Sequence, residues 1–141
     1  MRALMVLAVC VSIAGLSGSA VAADGVFAGV FQGTGRACSG ALHVRANAIE
    51  WNSSYSTCKS TAYEVLESHT DTEHERFAFR LKKPGSQCRY PVIEVEHDSD
   101  YNWNVNGYQS LEGFEKKDLP DWSNSPLPER QTLSCPMIKQ D

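Results

Sequence analysis

Apolar and polar residues alternate in several short segments of this chain, and turn residues separate the segments at close intervals. Phe77 and Phe79 alternate with polar or small neighbours, and the segment Val92 to Glu96 follows a turn at Pro84 and Gly85. A period of two is typical of a half-buried strand, and many short strands with turns between them indicate an all-β fold. We expect about seven or eight antiparallel strands in a small lipocalin-like barrel, because closure removes the exposed edges of a sheet. A two-sheet sandwich is the alternative.

Proline-rich sequence replaces this alternation in the C-terminal part of the chain. Ser110 is a suitable N-cap for one or two helical turns that carry Leu111 and Phe114. Beyond them, four prolines disfavour regular strand pairing: Pro120, Pro126, Pro128 and Pro136. We expect an irregular tail over residues 120–141, tied by Cys135 to a single barrel domain of residues 23–141.

The N-terminal residues have the form of a secretory signal peptide. Arg2 precedes an apolar run from Ala3 to Leu16, and small residues precede a cleavage site after Ala22. The apolar run is too short for a permanent membrane span. We expect residues 1–22 to be cleaved, which leaves a secreted or periplasmic bacterial protein without a transmembrane segment in the mature chain.

Four cysteines remain after removal of the signal peptide: Cys38, Cys58, Cys88 and Cys135. An even number of cysteines in an oxidising compartment indicates two disulfides, and three pairings are possible. We favour Cys38–Cys58 with Cys88–Cys135, because each loop then closes over neighbouring strands. Paired cysteines have no thiolate for catalysis or metal binding.

The charge balance and the motifs favour binding over catalysis. Loss of Arg2 leaves twelve basic and seventeen acidic side chains, so the mature net charge is −5. A nucleic-acid binder requires a basic surface, whereas an acidic protein suits a cationic partner. The chain has no G-x-S-x-G motif. Glu94 and Glu96 share one strand face, as an acid–base pair would, but carboxylates on an exposed strand have the same spacing. We expect no enzymatic activity and no cofactor.

Two polar clusters contain residue types that bind metals. His69, Asp71, Glu73 and His74 lie in one predicted turn, and a solvated hairpin tip has the same composition. Acidic and amide residues alternate from Asp98 to Asn106 like the start of a calcium loop, but the glycine and the bidentate glutamate of such a loop are missing. We therefore expect no bound metal at either cluster.

Aromatic residues near polar segments are candidates for surface contacts. We interpret Trp51 and Trp103 as barrel-filling residues, whereas Tyr55, in the Asn52–Thr57 loop, is a candidate for binding. The aromatic content also fits a carrier of a small apolar or sugar ligand, held inside the barrel or at its mouth.

Three short pieces of the chain resemble the bacterial periplasmic inhibitors of C-type lysozyme. The segment Gly85-Ser86-Gln87-Cys88-Arg89-Tyr90 resembles a loop of these inhibitors that reads roughly S-G-S-G-A-R-Y. The pattern Cys38-x3-Leu42-x-Val44 is similar to their early cysteine-bearing strand. Trp103 with Gly107 is similar to their late W-x-x-K-G, although the spacing is one residue longer and the Lys is missing.

The resemblance implies a fold and a mode of action. These inhibitors are small eight-stranded barrels that insert a loop into the lysozyme cleft, where a Ser and a Lys contact the catalytic carboxylates. Ser86 takes the place of that Ser, whereas Asn106 stands nearest the place of the Lys. Cys88 is a further departure from the pattern, because a disulfide inside the loop changes its shape.

Together, these observations predict a non-enzymatic binding protein. Its most concrete partner is a protein, a cationic cell-wall hydrolase such as C-type lysozyme. The predicted binding residues are Ser86, Arg89, Tyr90 and Tyr55. The small-ligand carrier and an envelope protein of structural role are the alternative functions.

Overall fold

Among the residues described by a computed structural model, nine antiparallel strands form one sheet that curls into a nearly closed β-barrel. The structure describes residues 27–71, 73–124 and 132–140, so the predicted signal peptide and residues 125–131 of the tail lie outside it. The strands are β1 Gly29–Gly33, β2 Gly40–Val44, β3 Ile49–Ser53, β4 Ser56–Thr61, β5 Tyr63–His69, β6 Arg76–Leu81, β7 Val92–Ser99, β8 Asn102–Tyr108 and β9 Thr132–Gln140, and two short helices, α1 Leu111–Glu115 and α2 Pro120–Ser123, lie between β8 and β9. The expected all-β barrel is confirmed, and the two-sheet sandwich is wrong.

The order of strands in the sheet is β4-β3-β2-β1-β9-β8-β7-β6-β5. β4 and β5 are consecutive in the chain, yet they form the two edges of the sheet. The alternation predicts about seven or eight strands, and it misses β4 and β9. β4 escapes the pattern because its inward-facing positions are occupied by Ser56 and Cys58 rather than by large apolar residues.

The expectation of an irregular tail is wrong for the last strand, which lies between β1 and β8. Its pairing with β1 ends where Gly33 meets Met137. The Lys139 N–H donates to the Tyr101 carbonyl on the β8 side. Strand hydrogen bonds alternate in direction, so the nitrogen of Pro136 points to the β1 side, beyond the end of β1. The proline therefore removes no hydrogen bond from the sheet.

Large side chains fill the interior of the barrel. Phe31, Leu42 and Ile49 are completely buried. Trp51 and Trp103 are only 1% and 4% exposed, which confirms that the two tryptophans belong to the core. The barrel axis is thus occupied by the protein's own side chains, at the close packing typical of protein interiors.

The two disulfides are Cys38–Cys135 and Cys58–Cys88, so the expected pairing is wrong. The sheet order explains the difference. β9 pairs with β1 and brings Cys135 beside the β1–β2 loop that carries Cys38. The loop between β6 and β7 carries Cys88 and runs along β4, which carries Cys58. Cys135 does tie the C-terminal strand to the barrel, as expected.

A second, smaller apolar cluster lies on the outer face of the sheet, under α1. Its buried members are Ala78, Val92, Tyr108 and Phe114. The predicted N-cap of α1 is confirmed, because the Gly113 N–H donates to Ser110 Oγ at 3.0 Å. The cap and the buried Phe114 ring fix this short helix against the barrel wall.

Candidate functional site

The β6–β7 loop (residues 82–91) covers the outer edge of β4. The Cys58–Cys88 disulfide joins the loop to the strand covalently. Two N–H groups of β4, those of Thr57 and Lys59, donate to loop carbonyls at 3.1 and 3.0 Å. The loop therefore takes the position of an additional strand and satisfies backbone groups that an open edge leaves unpaired.

A surface groove of about 450 Å³ lies between this loop and the β3–β4 turn. The groove is lined by Ser54, Tyr55, Ser56, Thr57, Ser86, Gln87 and Arg89. The Arg89 N–H donates to Ser56 Oγ at 2.9 Å, which joins the two walls. Tyr55 is 62% exposed, and the side chains of Ser86 and Arg89 are also exposed.

Three of the four predicted binding residues line this groove: Tyr55, Ser86 and Arg89. The structure places the fourth, Tyr90, in the core, where it is 7% exposed and its ring centroid lies 6.0 Å from that of Trp51. Tyr90 is therefore a packing residue rather than a surface contact. Its ring also supports Arg89, whose guanidinium carbon lies 5.7 Å from the ring centroid.

Asn106, which stands nearest the place of the missing Lys, is not at this groove. It lies on β8, and its side-chain amide donates to Glu94 Oε1 at 3.1 Å. The neighbouring Gly107 lies directly under the core aromatics, since an added Cβ atom would be 2.7 Å from Trp51 and from Tyr90. The W-x-x-K-G resemblance therefore marks a packing position in this chain.

The groove lies in a basic part of an otherwise acidic protein. Residues 82–91 contain Lys82, Lys83 and Arg89 and no acidic residue, and Lys59 lies beneath Gly85. The whole chain has a net charge of −4, so the excess of carboxylates is concentrated elsewhere. Lys82 and Lys83 are not among the binding residues predicted from sequence, although their position just before the Pro84–Gly85 turn indicates a basic loop.

A second cavity, which we call the acidic cavity, has a volume of about 440 Å³ and is lined by His69, Asp71, His74, Glu75, Arg76, Glu96 and His97. Arg76 is one of its lining residues, and its guanidinium group lies 3.0 Å from the Glu67 carboxylate and 3.4 Å from His69 Nε2. Within the described residues, no three His, Cys, Asp or Glu side chains are arranged to hold a metal ion. The Arg76 guanidinium group supplies positive charge among the carboxylates of this cavity.

Glu94, considered above as half of an acid–base pair, is buried on the outer face of the sheet. Its side chain is 2% exposed. Glu94 Oε1 accepts hydrogen bonds from Asn106 and from the Tyr108 hydroxyl, the latter at 3.2 Å. Lys117, which follows α1, places its ammonium group 3.9 Å from Glu94 Oε2. This carboxylate therefore has a structural role, because it helps to hold α1 against the barrel.

Burial of these polar groups shifts two pKa values. Burial raises the pKa of Glu96, and repulsion from Glu94 raises it further, while Arg76 acts in the opposite direction. Burial also raises the pKa of Tyr108 well above its usual value, with the Glu94 carboxylate adding to the effect. The Tyr108 hydroxyl therefore remains protonated and serves as a donor to Glu94.

Comparison of the chain with protein-family models, curated proteins and solved structures finds no match. Among the described residues, no helix has both the length and the apolar character needed to cross a membrane. Two disulfides in a barrel of this size are typical of proteins that fold in an oxidising compartment.

Proposed function

We propose that this chain is a secreted or periplasmic protein that acts by binding rather than by catalysis. Its partner is a protein with a carboxylate-lined cleft, and a cell-wall hydrolase such as C-type lysozyme is the most concrete candidate. One observation carries the proposal: Tyr55, Ser86 and Arg89, chosen from sequence, line a single exposed groove in the structure.

The composition of the groove suits protein recognition. Tyrosine and arginine are enriched among the residues that dominate binding energy at protein interfaces. Tyr55 offers a large exposed ring, and Arg89 offers a guanidinium group that binds a carboxylate through two hydrogen bonds. Ser86 adds a hydroxyl that both donates and accepts.

The construction of the loop favours tight binding. The disulfide and the backbone hydrogen bonds to β4 hold residues 82–91 in one arrangement before a partner arrives. A preformed loop loses less conformational entropy on binding than a flexible one. The Tyr90 ring beneath Arg89 restricts that side chain further.

The charge of the groove matches an active-site cleft of a glycoside hydrolase. Most such enzymes place two carboxylates on either side of the scissile bond. In the lysozyme inhibitors that the chain resembles, a Lys provides the cation opposite these carboxylates, and here Arg89 takes that part. The acidic remainder of the chain attracts a cationic hydrolase over longer distances, which increases the rate of encounter.

Inhibition of a C-type lysozyme tests the proposal. The oxidised mature chain is mixed with the enzyme at stoichiometric ratio, and residual muramidase activity is measured at low and at physiological salt. We expect inhibition that persists at physiological salt, because contacts inside a cleft are screened less than surface charges. Inhibition confined to low salt indicates nonspecific charge attraction, and no inhibition at either salt rejects this class of partner.

Matched variants locate the contact. Arg89→Ala and Tyr55→Ala are expected to weaken inhibition at least about tenfold, which corresponds to about 1.4 kcal/mol. Ser86→Ala is expected to weaken it less, because a single hydroxyl contributes roughly 1 kcal/mol. Arg80→Ala removes the same charge from the exposed face of β6 and serves as the control. Equal inhibition by Arg89→Ala and Arg80→Ala would remove the groove from the proposal.

A small-ligand carrier is the second candidate, and one cavity favours it. The interior of the barrel is filled by side chains, so an internal ligand site is disfavoured. A cavity of about 560 Å³ lies near the start of β1 and is lined in part by Tyr101, Trp103 and Lys139, and its volume falls in the range of small-molecule sites. Native mass spectrometry of gently purified protein tests this candidate, and spectra without an adduct count against it.

A further inference from the structure

The two edges of the sheet are protected to different degrees. The β6–β7 loop covers the edge formed by β4, as described above. β5 pairs with β6 on one side. On its other side, no strand among the described residues is hydrogen-bonded to it. An open edge is a template for pairing with another chain.

The hydrogen bonds of β6 show which backbone groups of β5 face outward. The Leu81 N–H donates to a carbonyl on the β7 side, and the Lys82 N–H donates to a carbonyl on the β5 side. Because the backbone groups of successive β6 residues point to alternate sides, those of Arg80 point toward β5, where Arg80 pairs with Glu64. The next residue of β5, Val65, points its N–H and carbonyl groups away from β6.

A β-bulge further along β5 gives a second residue whose backbone N–H and carbonyl groups point away from β6. The register shifts between Val65 and Glu67, so Glu67 is opposite Ala78. Ser68 then presents its backbone groups outward, as Val65 does. Neither residue has a backbone hydrogen bond to a described residue on that side. The Val65 side chain is 55% exposed beside this open edge.

The surroundings of β5 are acidic along the strand and at its C-terminal end, whereas Lys82, which follows β6, lies opposite Ala62, just before the start of β5. Five carboxylates and two guanidinium groups lie along β5 and β6 and in the acidic cavity where β5 ends: Glu64, Glu67, Asp71, Glu75 and Glu96, with Arg76 and Arg80. Arg76 is engaged by Glu67 at 3.0 Å. Asp71 and Glu75 form no ion pair with a described residue. A basic segment beside β5 therefore meets complementary charge along the strand and at its end.

We propose that β5 binds an extended, basic segment of a partner protein as a tenth strand. The backbone of Val65 and Ser68 supplies the hydrogen bonds, the exposed Val65 side chain supplies an apolar contact, and the carboxylates select lysine and arginine side chains. A second copy of this chain is a poorer occupant, because it brings Glu64 and Glu67 against like charges and carries the same negative net charge. This surface uses different residues from the groove, so the proposal does not depend on the proposed function.

A basic model peptide tests this proposal. The probe is an acetylated and amidated heptapeptide of alternating Lys and Val, added to the oxidised protein at physiological salt. We expect slower amide hydrogen exchange at Val65 and Ser68 when the peptide is present, because their N–H groups become hydrogen-bonded. Unchanged exchange at both amides under saturating peptide would overturn the proposal.

Two changes to the backbone separate strand addition from charge attraction. Methylation of every peptide nitrogen of the probe, which removes its donors on both edges, is expected to abolish binding to the unaltered protein. Val65→Pro removes an outward N–H and is tolerated at an exposed strand edge, so we expect at least about tenfold weaker binding. Val65→Thr keeps the N–H and is the matched control. Equal binding of the methylated probe would reject the tenth strand.

Two further results decide the occupant. A heptapeptide of alternating Glu and Val is expected to bind at least about tenfold more weakly than the Lys peptide, and equal affinity would reject selection by charge. Amide exchange is also measured without peptide over a range of protein concentrations. Protection of Val65 that increases with protein concentration would make a second copy the occupant and would overturn the assignment to a basic partner.

Discussion

Replacing both cysteines of one disulfide with alanine separates the contributions of two loops of different length. Cys38–Cys135 spans a sequence separation of 97 residues, and Cys58–Cys88 spans 30. In the chain-entropy model, loops of these lengths stabilise the folded state by about 4.7 and about 3.6 kcal/mol at 25 °C. We therefore expect the larger loss for the Cys38→Ala/Cys135→Ala variant, although Cys58–Cys88 holds the groove.

Guanidinium chloride unfolding, followed by tryptophan fluorescence, measures these losses. Trp51 lies on β3 and Trp103 on β8, in the two groups of strands that flank the central β9, and both are buried. Their fluorescence emission therefore reports on both halves of the barrel. Losses of this size shift the midpoint by roughly 1–2 M. Removal of both disulfides takes away about 8 kcal/mol, which is comparable to the whole stability of a typical domain. We expect that variant to be unfolded.

Lower stability of the variant without Cys58–Cys88, or a loss below about 1 kcal/mol in either variant, would contradict the dependence on loop length. Thiol titration of the unfolded variants provides a control on the pairing. In the mature chain, which lacks Cys10, the Cys38→Ala/Cys135→Ala variant is expected to contain no free thiol, since its two remaining cysteines are paired with each other. Two free thiols in that variant would favour the pairing expected from sequence.

Three further substitutions test packing, capping and electrostatics. Gly107→Ala places a methyl group 2.7 Å from Trp51 and Tyr90, so we expect a loss of about 1–3 kcal/mol in chemical denaturation. Ser110→Ala removes the N-cap of α1 and is expected to cost about 0.5–2 kcal/mol by the same assay, whereas Ser110→Thr retains most of it. Burial and the neighbouring Glu94 carboxylate raise the pKa of Glu96 above 4.5. Protonated Glu96 therefore stabilises the folded state, and this stabilisation is lost as the pH rises through the raised pKa. Glu96→Gln is therefore expected to be more stable than the unaltered protein at pH 7 and equal to it well below pH 4.5, and a constant difference across this range would contradict the pKa shift.

Local patterns predicted much of the fold, and long-range pairing accounts for what they missed. The alternation around Phe77 and Phe79 and the cap at Ser110 act over a few residues, so sequence shows them directly. The position of β9 depends on partners in β1 that lie about a hundred residues away and on partners in β8 that lie about thirty residues away, which no local pattern records. The Cys38–Cys135 disulfide depends on that same position, and Cys58–Cys88 depends on the loop that covers β4. The alternation of Leu133, Cys135 and Met137 was a signal for a strand, but the four prolines outweighed it.

The candidate site was predictable only where its residues are neighbours in sequence. Ser86 and Arg89 belong to one segment, and a turn composition suggested Tyr55. That these residues line one groove follows from the covered edge of β4, which sequence does not show. Tyr90 follows Arg89 directly but faces the core, because a loop has no fixed alternation from which its direction can be predicted. The open edge of β5 likewise depends on the order of strands.

The central position of β9 has a consequence for how the chain folds. β1 to β4 and β5 to β8 are two meanders, and in the described sheet only β9 links them by strand pairing. Neither meander completes the shared core before residues 132–140 have been synthesised and have inserted between them. Such dependence on distant contacts is typical of slow folding. A nascent chain of this design therefore has no finished barrel until β9 has been synthesised.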